Sequence, residues 1–125
     1  MMSKRVFELD ASAMKAEGVN EVMRDVITEH REANMGYDDY EQYESSYFYA
    51  YGVLVGLAAG LVLYCYEFAF EIRDADDIAE LMDDEYRRMT HMSLIDITPL
   101  MEDLIRKFAD KCVIKYGEYR NTEED

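Results

Sequence analysis

Asp76, Asp77, Glu80, Asp83 and Asp84 recur at three- and four-residue spacing, which on a helix makes their carboxylates neighbours. Oxygen ligands placed this way suit Mg²⁺, as in helical nucleotide hydrolases. That chemistry needs a second acidic cluster at core-facing positions of another helix, and the sequence offers none. A di-iron or di-manganese carboxylate centre would need Glu three residues before His on two helices. Ile27 holds that place before His30 and Arg88 holds it before His91, so both halves of the signature fail. His30 continues an apolar stripe and reads as a buried or boundary histidine rather than a base. His91 has no Cys or Asp at a telling distance. Cys65 and Cys112 both sit within apolar patterns, where a small buried thiol is expected rather than a disulfide or a metal ligand. There is no glycine-rich phosphate loop. The expectation is a protein that is not an enzyme and has no metal or cofactor.

What remains is charge. The 125 residues carry 28 acids against 13 Lys and Arg, for a net charge of −15. The excess is regional: residues 1–46 net −6, residues 67–86 net −8 and residues 87–125 only −1. From Asp74 to Glu85 seven acids and no base occupy twelve residues, about 18 Å of helix. That is roughly one negative charge per 2.6 Å, comparable to duplex DNA at about one per 1.7 Å. Direct binding to nucleic acid is disfavoured. Half of the residues are apolar or aromatic, so the chain folds despite its charge.

The elements that must carry these residues are helical, because apolar positions recur at three and four and Pro99 is the only proline. "SKRVFELD" reads as a short extended lead-in, with Asp10 or Ser12 capping a turn that Gly18 interrupts. Val19, Val22, Met23, Val26, Ile27 and His30 share one helical face and Glu21, Asp25, Glu29 and Glu32 the other, with Gly36 as the stop. A third helix over "DADDIAELMDDEYRRM" has an acidic first turn and arginines near its end, as the helix dipole favours, and an apolar side of Ile78, Leu81, Met82, Tyr86 and Met89. Thr98 and Pro99 open a fourth, with a core stripe of Leu100, Met101, Leu104, Ile105, Phe108, Cys112, Val113 and Tyr116 ending before Gly117. "EYRNTEED" reads as a frayed polar tail.

Between the first and third of these lies "YFYAYGVLVGLAAGLVLYCY", Tyr47 to Tyr66, without one charged side chain. About 30 Å of helix is enough to cross a bilayer, and Gly52, Gly56 and Gly60 have the spacing that lets two helix backbones approach closely. Against a span, its five tyrosines confine the aliphatic centre to Gly52–Leu63, about 18 Å; acids rather than bases flank it. The other helices also need an apolar surface to bury against. The expectation is a single all-α domain over 1–125, a small bundle of about four main helices around this central apolar helix. Residues 1–9 and 117–125 would be flexible, and the three glycines would mark a close helix contact within the chain or across a homodimer. No signal peptide precedes it, so a cytoplasmic address is expected.

Two functional classes follow. In the sharper one, Asp38, Asp39, Tyr40, Glu41, Tyr43 and Glu44, together with Asp74, Asp76, Asp77, Glu80, Asp83 and Asp84, present spaced carboxylates and rigid tyrosines to the basic groove of a nucleic-acid-binding protein. The chain would then be an inhibitor that mimics DNA. Compact acidic phage and mobile-element proteins of the anti-restriction and anti-CRISPR type work in this way, an analogy of charge and size. In the blander class the acids serve solubility, and the chain is a structural or oligomeric regulatory helical protein. An acid-lined metal-dependent enzyme and a small membrane protein are lesser alternatives.

Overall fold

The computed structural model describes residues 3–34, 40–90 and 98–123, with side chains placed within 6–33, 48–88 and 98–119. It contains strand β1 (Ser3–Leu9), helices α1 (Ala16–Asn34), α2 (Tyr40–Phe68), α3 (Ala75–Thr90) and α4 (Thr98–Tyr116), and strand β2 (Gly117–Glu123). Short 3₁₀ turns precede α1 at Ala11–Ala13 and follow α2 at Ala69–Glu71. The architecture is a small all-α bundle with a two-stranded sheet at one end. Gly36, Asp38, Asp39 and His91 lie outside the described residues, as do the side chains of Tyr40, Glu41, Tyr43, Glu44 and Met89.

Consecutive helices pack as neighbours, and α4 closes the ring against α1. The amphipathic stripes are the reason. On α1, Val19, Val22, Met23, Val26, Ile27 and His30 are buried while Glu21, Asp25, Glu29 and Glu32 are exposed. On α3, Ile78, Ala79, Met82 and Tyr86 are buried. The most enclosed helix is α4, whose Met101, Leu104, Ile105, Phe108, Ala109 and Cys112 are all essentially without solvent contact.

Some expectations need correcting. Residues 3–9 and 117–123, expected to be flexible, are paired strands: β1 and β2 run antiparallel from Ser3 opposite Glu123 to Leu9 opposite Gly117. The pairing continues past the strand end, where the Asp10 N–H donates to the Tyr116 carbonyl at 2.9 Å. The Phe7 and Tyr119 rings, cross-strand partners, meet edge to face at 5.2 Å. Gly117 allows this join. A Cβ there would overlap the Val113 carbonyl oxygen and the Phe7 ring. Gly18, in turn, does not interrupt a helix but lies inside α1, where it makes room for the Tyr116 hydroxyl.

A further correction concerns α2. Ala50, Leu54, Leu57, Ala58, Leu61 and Cys65 are buried, but they form one face only. Phe48 is 82% exposed, Leu63 69% and Tyr66 81%. The helix is therefore a wall of the bundle rather than an axis wrapped on all sides. Among the described residues nothing lies within 4 Å of a Cβ built at Gly52, Gly56 or Gly60. The close contact expected of these glycines is not made among the described residues, which leaves the contact across a homodimer as the other expectation. Their backbone faces open space.

Candidate functional site

The acidic helix and the apolar wall adjoin. Between α2 and α3 runs a groove of about 480 Å³, lined by Leu57, Gly60, Leu61, Tyr64, Leu81 and Met82 and rimmed by Asp84, Glu85 and Arg88. Its floor is apolar because both helices contribute stripe residues there. Its rim is charged because the α3 sequence turns from apolar to acidic within one helical step.

The structure divides the acids of α3 by task. Asp74 caps the helix, accepting from the Asp77 N–H at 3.0 Å, and Asp77 reaches back to accept from the Arg73 N–H at 2.8 Å. Each satisfies a backbone donor that the first turn leaves unpaired. Asp76 accepts from Arg106 of α4 at 2.6 Å, and Glu85 pairs with Arg88 one turn on. Of the six residues singled out on this segment, three are thus engaged within the chain.

Glu80, Asp83 and Asp84 are the remainder. Glu80 and Asp84 are exposed and make no hydrogen bond or ion pair among the described residues. Asp83 is half-buried; partial burial raises its carboxyl above the ordinary aspartate value, Arg87 draws it down, and the charges of Glu102 and Asp84 push it up. These three carboxylates span about 6 Å of one helical face. The tyrosine-rich segment Tyr40–Glu44, expected to act with them, forms the first turns of α2.

Elsewhere, cations are assigned to structure. Lys115 donates to Glu21 and Lys111 to Glu29, each at 2.9 Å, so α4 ties itself to α1 as Arg106 ties it to α3. His30 is buried and its Nε2–H donates to the Asp103 carboxylate at 2.6 Å, a third link between α1 and α4. Burial pushes the Cys65 thiol up to about 11 and the Cys112 thiol to about 12, so neither supplies a thiolate near neutral pH. Among the described residues no three of His, Cys, Asp and Glu converge where they could hold a metal ion.

The residues that sequence reasoning missed are those of the groove floor and the outward face of α2. Their apolar character was legible, but their exposure depends on which neighbours are present. Compared with known protein families, curated proteins and solved structures, the chain matches none.

Proposed function

We propose that this is a non-catalytic binding protein that engages a basic surface of a nucleic-acid-binding protein and competes with nucleic acid for it, as an acidic inhibitor does. The observation that carries the reading is the α3 row Glu80, Asp83 and Asp84, of which Asp84 reaches the rim of the α2–α3 groove. Among the described residues these carboxylates take no part in capping or ion pairing, and the adjoining groove supplies apolar area that charge alone lacks. A basic partner segment with one apolar side would find both. Complementary charge steers such an encounter and fixes its register, while the apolar contact holds it. Asp83 gains from a further cation, because its partial burial outweighs the pull of Arg87 on the ionised form. A cytoplasmic setting accords with two cysteines that remain free thiols.

The test is capture of basic nucleic-acid-binding proteins on the immobilised chain, followed by competition with duplex DNA. We expect a partner that DNA displaces, with affinity falling at least tenfold between about 50 and 300 mM salt as the Debye length shortens. The triple variant E80Q/D83N/D84N should lower affinity at least tenfold while leaving the helical circular dichroism unchanged. Undiminished binding by the triple variant would overturn the reading.

A further inference from the structure

We propose that two copies of this chain pair through the outward face of α2, antiparallel, about a two-fold axis at the level of residues 57 and 58. Phe48, Gly52, Val55, Gly56, Ala59, Leu63 and Tyr66 are all exposed, and at 100° per residue they fall within an arc of about 100°. The buried residues of the same helix lie opposite. From Tyr47 to Tyr66 no charged side chain interrupts this face, so covering it desolvates no ion.

Area supports a protein occupant. Phe48 and Tyr66 are 82% and 81% exposed, and aromatic side chains bury about 150–250 Å² each. With Leu63, Val55 and the small residues, the face offers on the order of 500–600 Å² per copy, about 1,000–1,200 Å² across a pair, the lower end of specific interfaces and the upper end of the patch a monomer leaves bare.

Shape selects a second copy and its direction. With the axis at residues 57 and 58, Gly52 stands opposite Leu63 of the second copy and Gly56 opposite Ala59. The largest aliphatic side chain of the face then meets a glycine, and the two small residues let the backbones approach. A parallel pair would set each residue on itself, with Leu63 against Leu63 and a gap at Gly52. It would also place Glu67 against Glu67, whereas the antiparallel pair puts Glu67 level with Phe48 and keeps like charges apart.

A bilayer is the poorer occupant. Phe48–Glu71 is long and apolar enough to cross one, but its buried face is covered by α1 and α3, whose outer faces carry Glu21, Asp25, Glu29, Glu80 and Asp84. A span would carry these into lipid or strip the bundle apart. Lying on an anionic surface is opposed by the net charge of −15.

Sedimentation velocity of the full chain should give twice the 14.7 kDa monomer mass at micromolar concentration. G56L should dissociate that dimer at least tenfold more readily with unchanged circular dichroism, since Gly56 is exposed and a Cβ built there meets nothing within 4 Å among the described residues. An equimolar mixture of G52C and L63C chains should form mixed disulfides under mild oxidation, while neither alone does; native Cys65 and Cys112 are buried and stay silent. The proposal is overturned by a monomer at 100 µM, by G52C linking to itself as a parallel pair would, or by a monomer that floats with neutral phosphatidylcholine vesicles.

Discussion

Where α1 meets α4, the apolar stripes of both helices are covered and Lys111 and Lys115 reach across to Glu29 and Glu21. Where α2 meets α3, the outward face of α2 is exposed, the groove between the helices is open, and Glu80 and Asp84 have no cation among the described residues. Both flanks draw on the same kinds of residue. The difference is that α4 holds the chain's densest set of cations, Arg106, Lys107, Lys111 and Lys115, and three of the four link it to α1 or α3. One flank is complete as a folded surface; the other keeps apolar area and negative charge that folding does not use.

The contrast is open to direct attack. Phe108→Ala, in the fully enclosed stripe of α4, should cost about 3–5 kcal/mol of stability by transfer and cavity terms. Leu63→Ala on α2 should shift the dilute monomer by no more than about 0.5 kcal/mol. Denaturant midpoints at constant slope compare the two. A similar cost for both would mean that the two flanks are equally part of the fold.

Glycines give the next largest effect. Gly117→Ala forces a methyl into the Val113 carbonyl and the Phe7 ring, an overpacking expected to cost about 1–3 kcal/mol. Gly56→Ala meets nothing within 4 Å among the described residues, so the monomer should gain up to about 1 kcal/mol from helix propensity. Thermal melts at low concentration separate these by sign.

The smallest effects are electrostatic, and the two flanks differ in direction. Lys115 holds the Glu21 carboxyl below its ordinary value of 4.5, first by a hydrogen bond and then by charge. A lowered folded-state value gives stability that is fully present above 4.5 and lost as pH falls through the lowered value. Asp83 is raised above its ordinary 3.8, chiefly by burial, so its ionised form opposes folding above 3.8 and that opposition fades as pH falls through the raised value. Carboxyl NMR titration should show Glu21 returning toward 4.5 in Lys115→Met. Asp83→Asn should be neutral or stabilising, within about 0.5 kcal/mol.

Much of this was legible in the letters. The face of α1 running Val19, Val22, Met23, Val26, Ile27 and His30, and the stripe of α4 from Met101 to Cys112, follow from helical spacing because one face in water and one in the core is what a bundle requires. The sheet was half legible: "SKRVFELD" reads as extended and carries β1, but β2 and the pairing were missed. Ser3 finds its partner at Glu123, and no local pattern announces a pairing across the length of a chain. The state of α2 was misread for a different reason. An all-round apolar helix reports what it could bury, while the number of faces covered depends on how many neighbours the bundle supplies. Asp74, Asp76 and Asp77 were legible as acids, but their capping and pairing roles required Arg73 and Arg106 to be placed.

The terminal strand pair has a mechanical consequence. Its outer end is Ser3 opposite Glu123, and its inner end, Leu9 opposite Gly117, is anchored where Gly117 follows α4 directly. Tension applied between the two ends of the chain therefore peels the sheet one residue pair at a time, as a zipper opens, instead of shearing every bond at once. The four helices feel no load until the last pair at Gly117 has parted. The sheet thus acts as a fuse, giving way at low force and leaving the bundle, with both of its unlike flanks, intact.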